Sequence, residues 1–417
     1  MQPGDPLISV FTPSHDTRWL TETYESLAKQ THKHWEWVVL LNGKARTWTP
    51  PAEDPRVKVH RSTPGVRGVG ALKREAVSLT CGEILVELDH DDMLLDSCLE
   101  RLQEAFDERP DLVFAYSDFA QINADRTPNL DHFNTDNGWV YTPEQVGPDV
   151  FERCHAMPPT PHNLGYIWYE PNHVRAFRRD AYDAVGGYDP SLSVLDDQEL
   201  MMRLFQYGDF QHVDELLYLQ RVHGANTQSD PTTNAHIQAR TVELYQENIG
   251  GLVHAWGTRQ GLASVRLLPT VWFGPESEPG FDDERWAGGR LPYDDDSVSV
   301  IMAYDLLQKV ADRAILFNEC YRVLAPNGLL LTLTPSTDGR GAFQDPSHVA
   351  FYNENSFLYL TQKVLRPALP ELTARLQVSH LRTHFPSASH EALQISYVTA
   401  NLIAVKDGQR NGGPLLC

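Results

Sequence analysis

The sequence predicts an α/β protein of two domains, each built on a largely parallel sheet. Three observations lead to this prediction. Strand-length apolar runs alternate with helix-length amphipathic segments over the first part of the chain, and the same alternation returns near the C-terminus. The length of 417 residues also exceeds that of an ordinary single domain. Ligands of such sheets bind beyond the carboxyl ends of the strands, which is where functional residues are expected.

The first half of the chain predicts strands and helices in alternation. The apolar runs LISVFT and EWVVLLN are expected to be strands, and DTRWLTETYESLAKQT between them has the apolar spacing of a helix. VKVH, EILVELD and LVFAYSD are expected to be further strands, with helices in GALKREAVSLTCG and over 96–107. Helical connections of this length predict parallel strand pairs with right-handed crossovers.

The middle of the chain is less regular. Residues 121–175 are rich in Pro, Asn, His and aromatic residues and are expected to be loops, whereas DDQELMMRLFQYG predicts a helix. A helical tether is expected over 232–250. The Gly- and Pro-bearing segment FGPESEPGFDDERWAGG that follows is typical of a domain boundary.

The C-terminal part again predicts alternating elements. SVSVIMAYD and GLLLTLTPS are expected to be strands on either side of a helix over 311–324, and two terminal strands are expected to pair antiparallel. We therefore predict domains over 1–250 and 285–417, joined by a linker over 251–284.

Composition limits the classes of function. The formal net charge of −21 disfavours broad contact with a nucleic-acid backbone. The five cysteines are scattered and lack a Cys-x-x-Cys pair, which argues against a disulfide framework and a structural zinc site. No apolar run approaches the roughly 18–20 residues of a membrane span, and the first residues lack the pattern of a signal peptide. A cytoplasmic protein with no membrane span is expected.

The segment GEILVELDHDDML carries three carboxylates, Asp89, Asp91 and Asp92, directly after an apolar strand. One interpretation is a solvated acidic loop that caps the next helix. However, unpaired charge in a partly buried site costs several kcal/mol per ion, and a divalent cation would remove that cost. Aspartate oxygens suit Mg²⁺ or Mn²⁺, and these ions keep coordination positions open for phosphate oxygens.

Four segments, ISVFTPSHD, LKREAVSLTCGEILVELDHDD, VGGYDPSLSVLDDQEL and RVHGANT, occur over residues 6–228 in the order and at the approximate spacing of a known family. In these segments the chain resembles family 2 glycosyltransferases of the GT-A fold, a Rossmann-like, nucleotide-sugar-binding domain. The resemblance implies a nucleotide-sugar donor, a divalent cation (Mn²⁺ or Mg²⁺) and inverting transfer to an acceptor hydroxyl.

The resemblance also implies roles for individual residues. Asp89 and Asp91, with His90 between them, match the family's Asp-x-Asp motif. By that match Asp91 binds the metal, and Asp89 contacts the donor ribose or the metal. Thr12 and Pro13 match the segment that lies along the nucleoside.

Asp197 matches the family's general base, and Asp196 precedes it in the same motif. The alternative for both residues is favourable charge at a helix N-terminus. His223 matches the position that often supplies an imidazole ligand to the metal, although a lone His after a strand is more often structural.

The remaining candidate residues concern the donor and the acceptor. Where many relatives have two acidic residues after the second strand, this chain has Leu41 and Asn42. Asn42 can still hydrogen-bond a base or ribose, and uridine is the first choice of base. Lys73 opens a helix near the cleft and could meet the diphosphate, unless it is only solvated. Trp168, beside Tyr169, could offer a stacking face to an acceptor, although aromatic residues in such a segment are more often core.

Residues from about 285 to 408 resemble the back half of a class I S-adenosylmethionine-dependent methyltransferase. That family needs a first strand ending in a glycine-rich turn, followed by an acidic residue for the cofactor ribose, and no Gly-x-Gly turn precedes residue 285 in this half. We therefore expect an incomplete methyltransferase-like domain that binds no S-adenosylmethionine. Such a domain could extend the acceptor surface or form a homodimer contact, because a truncated sheet exposes an edge.

The function expected from the sequence is metal-dependent, inverting transfer of a sugar from a nucleotide sugar. The acceptor stays open among a glycan, a lipid-linked saccharide, a protein and, least favoured, a modified nucleobase. Two alternatives also stay open: a bifunctional glycosyltransferase and methyltransferase, and a non-catalytic carbohydrate-binding or scaffold protein that keeps the fold.

Overall fold

The protein is described by a computed structural model. The described residues are 7–45, 47–132, 135, 138–167, 170–224, 230–270 and 278–406. The chain divides into two compact units, Met1–Asn248 and Ile249–Cys417. Each unit has its own sheet and its own hydrophobic core.

The first unit alternates strands and helices along most of its length. Its elements are β1 (Ile8–Ser14), α1 (Leu20–Ala28), β2 (Trp35–Leu41), β3 (Val57–Arg61), α2 (Val69–Ser78), β4 (Ile84–Glu87), β5 (Met93–Leu94), α3 (Cys98–Glu108), β6 (Leu112–Ile122), β7 (Val140–Val146), β8 (Asp149–His155), α4 (Pro161–Tyr166), β9 (Arg175–Arg178), α5 (Arg179–Ala184), α6 (Asp196–Tyr207) and β10 (Asp209–Arg221). The predicted α/β class is confirmed.

The first sheet is mixed rather than parallel throughout. Its order is β3-β2-β1-β4-β9-β6-β10-β5, and the first four strands are parallel as predicted. The short strand β9 lies between β4 and β6 and is antiparallel to both. The parallel pairing expected from the helical connections therefore does not hold at β9. The four residues of β9, RAFR, begin and end with arginine, so they lack the apolar run that marks a central strand.

Apolar side chains hold α1 and α3 against the sheet. Leu20 and Leu27 of α1 and Leu102 and Phe106 of α3 are buried in one cluster with strand residues such as Val10. The two helices use the 3.6-residue spacing that the sequence shows, so each buries one face. The segment 121–175, expected to be loops, also forms the antiparallel hairpin of β7 and β8 and the helix α4.

A buried carboxylate joins three segments of the first sheet. Glu36 of β2 accepts hydrogen bonds from the Ser9 hydroxyl at 2.5 Å and from the Cys81 backbone N–H at 2.6 Å, and it forms an ion pair with Lys58. Burial disfavours its ionised form, but these donors outweigh burial and lower the pKa of Glu36 from its usual 4.5 to about 2.

This pKa predicts a pH-dependent contribution to stability. Because the pKa is lower in the folded than in the unfolded state, the contribution is complete above pH 4.5 and is lost as the pH falls through about 2. We expect Glu36→Gln to lower the free energy of unfolding at pH 7 by about 1–3 kcal/mol and by less as the solution is acidified. Urea unfolding of both proteins between pH 7 and pH 3 measures the difference. A difference that is constant with pH would contradict the assignment.

The helix α7 (Pro231–Arg259) leads from the first unit into the second. The second unit then contains β11 (Ala263–Leu268), β12 (Asp282–Arg285), β13 (Val298–Tyr304), α8 (Arg313–Val323), β14 (Leu324–Pro335), α9 (Glu354–Thr361), β15 (Leu376–His384), α10 (Ala388–Ala392) and β16 (Tyr397–Ala404). The strand, helix, strand and terminal antiparallel pair expected in this half are all present.

The second sheet has the order β12-β11-β13-β14-β16-β15. β11 pairs parallel with both β12 and β13, so the sheet begins well before residue 285. The segment 251–284, expected to be a linker, instead contains the end of α7, all of β11 and most of β12. The sequence ASVRLL of β11 is short and carries an arginine, so it gives a weak strand signal, yet it is almost fully buried between its neighbours.

Among the residues that the structure describes, no helix combines the length and the apolar character that crossing a membrane requires.

Candidate functional site

The turn after β4 brings an acidic and an imidazole side chain together. Asp91 Oδ2 lies 2.7 Å from Nε2 of His223, the second residue after β10. The His223 ring stacks on Trp19, with ring centroids 4.6 Å apart. Both side chains are largely buried, with 12% and 14% of their surfaces exposed. The segments that carry Asp91 and His223 are far apart in sequence, and the sheet places them side by side.

Asp89 occupies the more open side of the same turn. Its side chain is 45% exposed, and its Oδ2 lies 3.6 Å from Nε2 of the buried His173. The His173 ring stacks on Tyr218, with centroids 4.8 Å apart. Burial lowers the pKa of His173 to about 3, so the imidazole is neutral at pH 7 and offers no positive charge to Asp89.

The donor chemistry of this turn suits a divalent cation, although the ligand atoms of Asp89, Asp91 and His223 do not converge within 4.8 Å as those of a closed metal site do. Within the part of the chain that the structure describes, neither Asp89 nor Asp91 forms an ion pair with a lysine or an arginine. Their carboxylate oxygens, together with the imidazole of His223, are ligands that Mn²⁺ accepts, and the carboxylates also suit Mg²⁺. A cation bound here would supply the positive charge that the neighbouring side chains do not.

Asp92, the third carboxylate of the turn, has a different role. It accepts hydrogen bonds at 2.7 Å from the Tyr218 hydroxyl and from the Arg221 backbone N–H. Burial and the nearby Asp91 raise the pKa of Asp92 well above its usual value. Asp92 therefore fastens the turn to β10 and holds the segment that leads to His223.

A buried ionic network lies under the turn. The Lys73 ammonium on α2 is 2.7 Å from Glu87 of β4 and 2.9 Å from Asp196 at the start of α6. Glu87 also accepts a hydrogen bond from the Tyr188 hydroxyl at 2.9 Å. The side chain of Lys73 is only 8% exposed, so the ammonium joins two carboxylates inside the protein rather than standing solvated on the helix surface.

Asp197 is connected to this network through Arg175 and is partly exposed to solvent. Its Oδ2 lies 2.5 Å from Nη1 of Arg175, which is also 3.9 Å from Glu87. Burial disfavours the ionised form of Asp197, but the charges of Arg175 and Lys73 outweigh it and lower the pKa of Asp197 below its usual value. The carboxylate is therefore ionised at neutral pH, and 19% of the side chain remains exposed.

Strand β9 connects the acidic turn with Asp197. Glu87 and Arg175 are register partners in the β4–β9 pair. His173, two residues before Arg175, contacts Asp89, which lies two residues after Glu87. The same stretch of backbone therefore positions both His173, which contacts Asp89, and Arg175, which pairs with Asp197.

The residues predicted to contact the nucleoside lie at the ends of β1 and β2. The Thr12 hydroxyl is buried, donates to the Leu88 carbonyl at 2.7 Å and accepts from the Trp37 indole at 2.9 Å. Its side chain is thus engaged within the sheet. Pro13 and Asn42 are partly exposed.

His90 also lies at this edge, in edge-to-face contact with His15, whose ring centroid is 4.8 Å away. The predicted stacking residue Trp168 and its neighbour Tyr169 lie outside the described residues.

Sequence reasoning did not identify Glu87, Arg175, His173 or Tyr188. Glu87 gives one local signal, because it is a charged residue inside the apolar run EILVELD. Arg175 and His173 lie in the segment that was expected to be loop. Their importance arises from the antiparallel strand that the sequence pattern does not predict.

A second group of possible metal ligands lies elsewhere in the first unit. Ligand atoms of Asp118, His212 and Asp214 lie within 4.8 Å of one another. The Arg153 guanidinium already pairs with Asp118 at 2.6 Å and with Asp214. Since an arginine supplies the positive charge, this group does not need a cation in the way that the turn after β4 does.

Comparisons with known proteins agree with the division into two units. The family model for glycosyl transferase family 2 matches residues 9–186, and that for a methyltransferase domain matches residues 285–332. The first match contains the acidic turn and ends before Asp197 and His223.

Curated relatives include two polysaccharide synthases. The chondroitin synthase of Escherichia coli is 24% identical over 271 residues, which cover 63% of this chain and 34% of the relative. The hyaluronan synthase of Pasteurella multocida is 22% identical over 228 residues, which cover 53% of this chain and 21% of the relative. The chain therefore spans about a third or less of the length of these relatives.

Solved structures similar to this chain include residues 1–349 of TarS from S. aureus. The TM-score is 0.39 with 14% sequence identity, covering 60% of this chain and 72% of that one. The complex of the same protein with UDP gives a TM-score of 0.40 with 14% identity, covering 61% and 70%.

Proposed function

Because the first unit of this chain is a family 2 glycosyltransferase domain, we propose that it transfers a sugar from a uridine diphosphate sugar to an acceptor hydroxyl, with a divalent cation and with inversion at the anomeric carbon. The observation that carries this proposal is the convergence of Asp91 and His223, 2.7 Å apart, in the turn that also holds Asp89. This turn lies at the carboxyl end of a parallel strand, where α/β sheets bind their ligands.

Asp91 and His223 would hold the cation, and Asp89 would contact either the cation or the donor ribose. When bound, the cation neutralises the diphosphate and stabilises it as a leaving group. The protein contributes a rigid support for these ligands. Trp19 holds the His223 ring by stacking, and the hydrogen bonds to Asp92 fix the turn against β10.

Asp197 acts as the general base. It takes the proton from the acceptor hydroxyl as the hydroxyl oxygen attacks the anomeric carbon from the face opposite the diphosphate. Its ionised state at neutral pH suits it to accept that proton. Arg175 is a positioning residue, since it contacts the Asp197 carboxylate at 2.5 Å and fixes its direction.

A glycan hydroxyl is the acceptor that we propose first. The supporting observation is that the curated relatives are named for the synthesis of chondroitin and hyaluronan, which are both polysaccharides. A protein or a lipid-linked saccharide would present the same nucleophile to Asp197. Screening acceptors with a radiolabelled donor distinguishes these classes.

A binding and turnover experiment tests the proposal. The full chain is mixed with a panel of nucleotide sugars and Mn²⁺, and thermal shift and release of nucleoside diphosphate are measured. We expect a UDP-sugar to raise the melting temperature, since a ligand that binds the native state stabilises it. Slow release of UDP is also expected, and chelation should abolish both effects. Binding without release for every donor and acceptor would favour a non-catalytic carbohydrate-binding protein.

Replacing Asp91 tests the position of the cation. We expect Asp91→Asn to weaken Mn²⁺-dependent donor binding at least about tenfold, because a charged oxygen ligand is lost. Calorimetric titration of donor at several Mn²⁺ concentrations measures this change. The exposed Asp183→Asn on α5 is the control and should bind as the parent does. If donor binding by Asp91→Asn depends on Mn²⁺ as it does in the parent, Asp91 is not a ligand of the cation.

For the second unit we propose a non-catalytic role that does not involve binding of S-adenosylmethionine. Calorimetry of the full chain with S-adenosylmethionine tests this, and binding in the micromolar range would instead favour the bifunctional alternative. Sedimentation analysis tests whether the chain forms a homodimer.

A further inference from the structure

The second unit contains a cavity that the proposed transfer reaction does not use. It has a volume of about 330 Å³ and lies between the first half of α8, the helix α9 and the segment 369–372. Ligand pockets for small molecules span roughly 300–1,000 Å³, so this cavity is at the lower end of that range.

Part of the cavity lining is apolar. Phe317, Leu360 and Leu372 are buried residues of the second hydrophobic core, and the partly buried Leu369 packs against them. A lining of this kind favours the apolar body of a ligand, because contact with it removes hydrocarbon surface from water.

The lining also includes two polar side chains, one buried and, among the described residues, without a hydrogen-bond partner, the other exposed to solvent. Tyr352 is 3% exposed, and within the described part of the chain its buried hydroxyl has no hydrogen-bond partner. A buried polar group without a partner destabilises the folded protein, because it has lost its hydrogen bonds to water. An acceptor atom on a ligand would relieve this cost.

The second polar group is Arg313, the first residue of α8, which lines the cavity while its side chain is exposed to solvent. Among the described residues, no carboxylate forms an ion pair with its guanidinium, although the chain carries 56 aspartates and glutamates. The charge of Arg313 acts on Tyr352, since it opposes the rise in the pKa of the Tyr352 hydroxyl that burial causes. An anionic group placed between the two would meet both a donor and a positive charge.

We propose that this cavity binds a small organic acid with an apolar or aromatic body, whose carboxylate accepts from Tyr352 and pairs with Arg313. The apolar body lies against Phe317, Leu360 and Leu372. Nothing in this site depends on the sugar-transfer residues of the first unit, so the site is a separate binding function of the second unit.

Matched ligands test the charge requirement on the full chain. 3-Phenylpropionate and its neutral amide, 3-phenylpropanamide, have nearly the same shape and are titrated by calorimetry, with thermal shift as a second readout. We expect the acid to bind and to raise the melting temperature, and the amide to bind at least tenfold more weakly. No binding of the acid at millimolar concentration, or equal binding of acid and amide, would overturn the proposal.

Matched variants test the location. Arg313→Gln and Tyr352→Phe should each weaken binding of the acid about tenfold, and Arg313→Gln should also remove the preference for acid over amide. Arg375→Gln removes an exposed charge of the same unit that does not line the cavity, and it should bind as the parent does. Unchanged binding in Arg313→Gln would show that the acid binds elsewhere and would refute the site.

Discussion

Replacing Asp197 with asparagine is expected to lower sugar transfer by about 10²–10⁴-fold, the usual contribution of a general base. Asparagine keeps the shape of the side chain but cannot accept the proton. Donor binding should persist, because Asp197 lies outside the turn that we propose to hold the cation. Rates measured at saturating donor and Mn²⁺ test the first expectation, and donor calorimetry tests the second.

The control for this variant is Asp183→Asn, which removes an exposed carboxylate of the same unit and should transfer at the parental rate. A melting temperature for each protein separates loss of chemistry from loss of folding. Since the asparagine amide does not ionise, raising the pH should not restore the variant. An Asp197→Asn protein with near-parental activity would show that another residue is the base.

Replacing Lys73 with methionine is expected to destabilise the protein by about 3–5 kcal/mol, the usual cost of breaking a buried ion pair from one side. The ammonium is the cation closest to both Glu87 and Asp196, at 2.7 and 2.9 Å. Without it, two buried carboxylates face each other with only the more distant Arg175 to balance Glu87. Equilibrium urea unfolding, followed by tryptophan fluorescence, measures the loss.

The control is Lys29→Met, which removes an exposed lysine at the end of α1 and should change stability by less than about 0.5 kcal/mol. Adding Asp196→Asn to Lys73→Met should recover part of the loss, because it removes one of the unbalanced charges. If the free energy of unfolding of Lys73→Met lies within about 1 kcal/mol of that of the parent, the network is not a major source of stability.

Local periodicity predicted most of the elements. Apart from the two-residue β5, the strands and helices from β1 to α3 each carry an apolar pattern of the right period, so their type can be inferred from short windows. β9 could not be predicted in this way, since a four-residue strand with arginine at both ends has no such pattern. The sequence of β11 is also short and carries an arginine, so its pattern does not predict a strand. It is a strand because it is buried between β12 and β13.

The candidate site shows the same contrast. Motifs that resemble a family predict the roles of Asp89, Asp91, Asp197 and His223. No sequence motif predicts a partner such as Arg175, because it is defined by what lies opposite it in space.

By itself, the sequence determined the α/β class, the two-part organisation and the acidic turn at the end of a buried strand. Each of these features depends on residues that are close together in the sequence. Only the tertiary structure decided which charges balance one another. In the folded chain, β9 pairs with β4, and Arg175 forms an ion pair with Asp197. Among the described residues, no lysine or arginine forms an ion pair with Asp89 or Asp91. The physical reason is that the electrostatic energy of a side chain depends on burial and on distances between atoms, and chain folding fixes both.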